Sequence, residues 1–516
     1  MKRVVTLAAL AAAAVLAAPA APAVAAGTTY YVDCGAATNG SGTSASPWNN
    51  LTTVSAFAFV AGDSILLKRG TTCTGAFAFN RSGTATSPIT IDAYGTGALP
   101  VIDGNGAQTA VTLTNPNYLT VADLEIRHST RWGLLATSST TATVTGLTLR
   151  GLTVHDVDGG TMDQKYTGLV VVMPGVTGGR FDHVTIDSVT AYDTTMWAGI
   201  MVWGEWIDGD RQWSRHAQDV TKRSSNILIQ NSTAHDTFGD GIVAYMGSNV
   251  TLQHNVAYLT GQQPTQTIGT PNAIWTWASN DVVVQYNEAY DNNSPGSDGG
   301  GFDIDYWSTN TTVQYNYAHD NAAYCVGVFG AEKVATVNSI VRYNICANNG
   351  FESTRDGAEE IDIATWDGGK ISGLQIYGNT VYTTERGVIG TTTNVPTPTF
   401  VAGQPLLFKD NLVVSTVANV LGAGMAQVPF DRDDNLYYYT GGSFSSGEAH
   451  SVHNQNPLVN SLGYHAVGMP TTQWTLQAGS PAINAGATIA GAPTTDFFGH
   501  TVPLGGATDI GADEAR

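Results

Sequence analysis

The feature that most restricts this chain is an asparagine that keeps returning. It stands at Asn231 (LIQNSTAHD), Asn255 (LQHNVAY), Asn287 (VQYNEAY), Asn316 (VQYNYAH), Asn344 (VRYNICA), Asn379 (IYGNTVY) and Asn411 (KDNLVV), at intervals of 24, 32, 29, 28, 35 and 32 residues. Most copies follow a short apolar run, and a period of this length with loops of varying size is that of a solenoid. Asp123, Gly151 and Ser188 take the equivalent place in earlier coils. Asparagine at a bend suits a left-handed backbone, and its amide can hydrogen-bond to the copy one coil away. With two or three short strands per coil and no helical periodicity, the expected fold is all-β: one right-handed parallel β-helix of about ten coils with capped ends.

Composition agrees with that architecture. The chain has 516 residues, 42% hydrophobic and only 12% charged, with 58 glycines for many turns. Lys2 and Arg3 precede an apolar run to Leu16, and Ala23-Val24-Ala25 offers small residues for cleavage. That is the layout of a secretory signal peptide over about residues 1–26, and a secreted chain is expected. Residues 27–100 are read as the N-terminal cap and first coil, 101–440 as the β-helix, and 441–516 as the C-terminal coil and cap. Leaving out Lys2 and Arg3 takes the net charge from −20 to −22, which makes nucleic acid a poor partner. No later run is long and apolar enough to span a membrane, and a monomer is expected. Four cysteines in an exported chain suggest Cys34–Cys73 and Cys325–Cys346 bridges, with other pairings open. Their spacing suggests no metal site.

Aligning one strand of each coil stacks GIMVW (199–203), GIVAY (241–245), AIWTW (273–277), GFDID (301–305), CVGVF (325–329) and EIDIA (360–364). Alternation then puts Ile200/Val202, Ile242/Ala244, Ile274/Thr276, Phe302/Ile304, Val326/Val328 and Ile361/Ile363 inward. Outward come Trp203, Tyr245, Trp275, Trp277, Asp303, Asp305, Phe329 and Asp362, so carboxylates stand beside an aromatic strip. Asp303, Asp305 and Asp362, joined by Glu360, are the candidate catalytic groups. One acid protonates a leaving oxygen while another activates water or attacks the sugar. Trp203, Tyr245, Trp275 and Trp277 form a candidate sugar-stacking platform. Glu205, with Trp206, Asp208, Asp210, Arg211 and Trp213 of the inserted stretch up to Ser224, is a candidate cleft wall. His-Asp pairs recur at His155/Asp156, His235/Asp236 and His319/Asp320, which argues for a turn role. His319 is kept as a substrate-binding candidate because its coil bears Asp303 and Asp305.

The text SPITIDAYGTGALPVIDG (87–104), the Asn-marked coils and the tail (LQAGSPAINAG, DFFG, DIGADE) resemble secreted pectate-lyase-like β-helix proteins. That superfamily of polysaccharide lyases and glycoside hydrolases implies the same fold. AIWTW followed by FDIDY looks closest to β-helical hydrolases such as family 141. The resulting expectation is a hydrolase of a plant or microbial polysaccharide that requires no cofactor, with Ca²⁺ as another use for clustered carboxylates. A lyase acting on a uronate polymer is the alternative, but the outward strand positions hold no Lys or Arg, and Lys333 and Arg355 lie in loops. A non-catalytic glycan-binding surface protein is the third reading.

Overall fold

Three parallel sheets wind around one apolar core, and most coils contribute a strand to each sheet. The computed structural model describes residues 27–205, 219–265, 268–351, 359–384, 387–390, 397–417, 421–422 and 425–516. The expected leader, Trp206, Asp208, Asp210, Arg211, Trp213 and Arg355 lie outside the described residues. One coil shows the plan. Asn280–Gln285 belongs to a long sheet, Glu288–Tyr290 to a ladder sheet, and Phe302–Ile304 to a site sheet, after which Thr309–Gln314 returns to the long sheet. All three pairings between neighbouring coils are parallel. The long sheet counts 16 strands and begins with Thr29–Val32 and Ser64–Lys68, so the coils outnumber the ten expected and start inside the N-terminal cap. A single helical turn and a half, Leu51–Ala56, starts where Asn50 accepts from the Thr53 amide at 2.8 Å. It buries Leu51 and Val54 in the first coils beside Trp48, Phe59 and Phe79.

The site-sheet register is the one the alternation implies. Ile242, Ile274, Phe302, Val326 and Ile361 pair in succession, as do Val243, Trp275, Asp303, Gly327 and Asp362. Ile274, Phe302, Ile304, Ile361 and Ile363 are wholly buried. Each such side chain contributes roughly 1.5–3 kcal/mol, and a slip by one residue would eject the whole column.

The ladder forms a continuous buried chain. Asn255, Asn287, Asn316, Asn344, Asn379 and Asn411 each donate from Nδ2 to Oδ1 of the next asparagine at 2.9–3.2 Å, ending on Asn435. Each also donates its backbone N–H to the same oxygen, as Asn316 does to Asn344 at 3.0 Å. The left-handed residue is the one before the ladder position: His254, Tyr286, Tyr315 and Tyr343 have φ of 49–57°. Asn231 itself sits at that left-handed place with φ 51°, and the ladder position of its coil is Ser232. Asp123, Gly151 and Ser188 likewise occupy the left-handed place. A second ladder runs Asn292, Asn321, Asn349 and stops at Glu360, which accepts from Asn349 N at 2.9 Å and Nδ2 at 2.8 Å.

Both expected disulfides, Cys34–Cys73 and Cys325–Cys346, are present. After the last rung, Val452–His453, the tail runs back along the side of the helix. Tyr315 donates to Thr495 O at 2.9 Å, Asp410 accepts from Ala487 N at 2.8 Å, and Thr380 accepts from Ala512 N at 2.9 Å. Among the described residues no helix is long and apolar enough to cross a membrane.

Removing one ladder side chain leaves several buried partners unmet. Asn316→Ala is expected to lower stability by about 3 kcal/mol or more, read as a shift of the denaturant midpoint. The exposed Asn310→Ala, on the outer Asp281–Asn310–Asn338 row, should cost only about 1 kcal/mol, chiefly from its left-handed φ of 55°.

Candidate functional site

Outward from the site sheet, connecting loops fold over the strands and leave a cleft of about 330 Å³. Its lining comes from separated stretches. Asp305 and Tyr306 follow strand Phe302–Ile304, Asp362 lies within Ile361–Thr365, and Trp366 follows that strand. Asp298 and Ser297 come from the loop leading into Phe302, Thr270 from the preceding coil's loop, and Lys165 from a loop several coils earlier. Trp275 and Phe329 supply walls from within the sheet.

In the column Trp275–Asp303–Gly327–Asp362 the glycine makes room for two rings. Gly327 separates the two aspartates, and a Cβ there would lie 2.8 Å from ring atoms of both Tyr324 and Phe329. The missing side chain lets those rings pack between the two rungs.

Of the four carboxylates singled out by the sequence, Asp305 and Asp362 border the cleft. Asp303 does not. It is 2% exposed, Asn272 Nδ2 donates to its Oδ2 at 3.1 Å, and its Oδ1 has no hydrogen-bond partner. Burial, reinforced by Asp305, Asp298 and Asp362, pushes Asp303 well above the usual carboxylate range. Glu360 is also no cleft residue. Both its oxygens terminate the second asparagine ladder, and burial raises it to about 8.

The aromatic strip is a packed cluster instead of an open platform. Trp203, Tyr245, Trp275 and Trp277 are at most 7% exposed. Tyr245 meets Trp203, Trp275 and Trp277 edge-on at 4.6, 5.2 and 6.1 Å between centroids. They enclose a niche of about 50 Å³ that also touches Lys165, Asp305 and Tyr306. The roofing loops deprive the rings of free faces, so each ring packs on another. Beneath them Asp240 accepts from Trp197 Nε1 at 2.6 Å, Tyr245 Oη at 2.5 Å and Asn272 N at 3.2 Å, and burial raises it to about 6.

Two further candidates fall elsewhere. Glu205 is fully buried, pairs with Lys222 at 3.4 Å, and does not line the cleft. His319 belongs to the ladder sheet, where it pairs with Asp320 at 2.8 Å and Glu288 at 3.3 Å under the returning tail. It ends a stack of near-parallel rings, His155, Tyr192, His235, Tyr258, Tyr290 and His319, spaced 4.6–5.1 Å. Asp156, Asp236 and Asp320 follow with φ of 50–54°, the turn role that their recurrence implies.

Asp298, Tyr306, Trp366 and Lys165 carry no signal in the strand register, because each lies beyond a strand end or in a loop. Tyr306 and Trp366 were within reach of the pattern, one and two residues past the aligned stretches 301–305 and 360–364. Asp305 is half-buried. Burial raises its pKa well above the ordinary range, with Asp298 and Asp240 adding repulsion, while the Tyr306 amide at 2.8 Å and Lys165 oppose the rise. Among the described residues two groups of ligand-type atoms converge closely, Asp433/Asp434/His450 and Asp496/His500/Asp513, and neither includes a cleft carboxylate. Asp496 and Asp513 of the second group accept backbone N–H groups of the tail, which accounts for the DFFG and DIGADE stretches.

Comparison with known proteins places this geometry among β-helices. Residues 220–384 match the family described as right handed beta helix region. A lacto-N-biosidase of Bifidobacterium longum subsp. longum is 25% identical over 95% of this chain and 36% of its own length. The chain thus spans little more than a third of that curated relative. The solved GH136 lacto-N-biosidase from Eubacterium ramulus aligns with a TM-score of 0.57 and 22% identity, covering 73% of this chain and 67% of that one. XylC in complex with xylose aligns at 0.50 with 13% identity, covering 84% and 87%. The expected likeness to β-helical carbohydrate-active proteins therefore holds at the level of the fold.

The buried carboxylates set the sign of the pH dependence. Asp240, Asp410 and Glu360, raised by burial to about 6, about 7 and about 8, keep protons in the folded chain that the unfolded chain has lost above about pH 4. Stability is therefore full near pH 4 and falls as the pH rises through 8. Thermal unfolding followed by circular dichroism is expected to show a higher midpoint at pH 5 than at pH 8. A midpoint that climbs over this window would contradict the assignment.

Proposed function

We propose that this protein is a secreted glycoside hydrolase of a neutral plant or microbial glycan, with Asp305 and Asp298 as its catalytic carboxylates. The observation that carries this reading is one cleft holding three carboxylates, Asp298, Asp305 and Asp362, between aromatic walls. Glycosidic cleavage needs two such groups with different protonation states. Asp298 is chosen as the partner because it is the carboxylate that most strongly raises Asp305. One carboxyl donates its proton to the glycosidic oxygen as the bond to the anomeric carbon breaks. The other, ionised, either attacks that carbon or takes a proton from the attacking water. Asp362, Tyr306 and Trp366 stand around the same space and are suited to holding sugar hydroxyls and a ring face.

A volume of about 330 Å³ is at the small end of ligand-sized clefts, which suits one or two sugar residues at a time. Three carboxylates against a single lysine disfavour a uronate, so neutral sugars fit better. Similarity to a protein named lacto-N-biosidase supports an oligosaccharide-cleaving activity. Two disulfides suit the oxidising compartment that a secreted enzyme meets. The chemistry draws on carboxylates alone, and one chain supplies them all, so neither a cofactor nor a second subunit is invoked.

Lys165 also favours a second reading. A lysine in the cleft is what β-elimination needs as a base, and the strand register had offered none. Product analysis on neutral and uronate glycans separates the two: free reducing ends without ultraviolet absorbance mean hydrolysis, unsaturated ends mean elimination. For the hydrolase, Asp305→Asn and Asp298→Asn are each expected to cut turnover by about 10²-fold or more with the circular dichroism spectrum unchanged. Asp362→Asn should chiefly raise KM. Near-normal turnover in Asp305→Asn would place the chemistry elsewhere.

A further inference from the structure

Lys165 reaches the cleft along an arranged path. Its loop is pinned at both flanks: Arg131 pairs with Asp163 at 2.7 Å, and Trp132 Nε1 donates to Tyr166 O at 2.7 Å. Thr167 Oγ1 then accepts from Trp197 N at 3.2 Å, which ties the loop to the next coil. The side chain crosses the Trp197 indole with Nζ 5.0 Å from the ring centroid, within cation–π range. It passes over Gly269, where an added Cβ would lie 2.2 Å from Lys165 Cε and 2.8 Å from Nζ. Gly269 has φ +59°, so a side chain is disfavoured there on two counts. At the end of this path Lys165 borders both the cleft and the aromatic niche, and the other charged residue common to both is Asp305.

The surroundings of Asp305 are otherwise acidic. Asp240, Asp298, Asp303 and Asp362 face it or lie nearby, together with the phenols of Tyr245 and Tyr306. Among the described residues Lys165 is the one cation on the cleft lining. An ammonium placed here opposes the rise of Asp305 and also that of the buried Asp240, which holds the Trp197 indole N–H.

We infer that Lys165 is a positioning residue, the counter-charge that favours the ionised form of Asp305 against the burial and the acidic neighbours that oppose it. Its catalytic meaning rests on the hydrolase reading; the electrostatic claim does not. Lys165 thereby biases Asp305 toward the base or nucleophile role, a separation that two like charges in one cleft would not otherwise fix.

The test reads the carboxyl directly and needs no substrate. In protein labelled at the aspartate carboxyl carbon, the Asp305 resonance is identified by its loss in Asp305→Asn and titrated by NMR. Lys165→Met is expected to raise its midpoint by about one pH unit or more, and Lys165→Arg to leave it within a few tenths. Gly269→Ala, which displaces the lysine without removing it, should shift the midpoint in the same direction as Lys165→Met. In an active preparation the acid limb of kcat/KM should move up in parallel in Lys165→Met and not in Lys165→Arg. Should Lys165→Met fail to fold, Lys165→Gln takes its place. An unmoved Asp305 midpoint in a folded Lys165→Met or Lys165→Gln protein overturns the inference. Inactivity of the wild type on every glycan, with the midpoint shift intact, would instead sink the hydrolase reading and leave the electrostatic one standing.

Discussion

The amide-to-amide hydrogen bond of the asparagine ladder is the interaction on which the other features depend. Each rung requires the chain to turn through a left-handed residue, which costs a non-glycine residue roughly 1–2 kcal/mol. The ladder offsets this by satisfying, inside the core, both an amide and the backbone N–H of the turn. Asn316 shows the economy of the arrangement: its Nδ2 bonds to Val284 O and Asn344 Oδ1, and its Oδ1 takes the N–H and Nδ2 of Asn287. Rings at the left-handed positions add a stack on the outside, with His254, Tyr286 and Tyr315 spaced 5.0 Å.

A ladder of amides has a direction, and its ends must be resolved chemically. Every asparagine donates toward the C-terminus, so the last one needs an acceptor that brings no competing donor. Carboxylates fill that place: Glu448 takes Nδ2 of Asn435, and Glu360 takes Asn349. The glutamine row on the outer face runs the opposite way. Gln314, Gln285 and Gln253 donate toward Gln230, which ends on Asp187, while Arg342 supplies the donor at the other end. The same rule explains why Glu360, two residues from a cleft aspartate, takes no part in the cleft.

The cleft inherits its rigidity from these ladders and its variety from loops. Long connections entering the strands Gly168–Pro174, Ile274–Trp277 and Phe302–Ile304 carry Lys165, Thr270 and Asp298 to one place although they come from different coils. Asn272 joins floor to loops: it binds Asp303 through Nδ2, while its Oδ1 accepts from Gly300 N at 2.9 Å and Tyr324 Oη at 3.0 Å. Charges therefore sit where backbone positions them, and burial under the loops turns ordinary carboxylates into groups with raised pKa values.

By itself the sequence determined the coil, the parity of each strand and the placing of Asp305 and Asp362 on an outward face. Periodicity is a local property: a residue one position from Ile304 or Ile361 must face the other side once the core column is buried. The turn role of the His-Asp doublets was legible for the same reason, whereas the four cysteines left more than one pairing open until the structure joined Cys34–Cys73 and Cys325–Cys346. Only the tertiary structure decided what lies above that outward face. It buried Asp303, Trp203, Tyr245 and Trp277 under loops, carried Glu205 and His319 away from the cleft, and gave Glu360 to a ladder. It also brought Asp298, from the loop of the same coil, and Lys165, from a loop several coils earlier, to the cleft beside Asp305, placements that no period encodes. They depend on where irregular loops of different length come to rest.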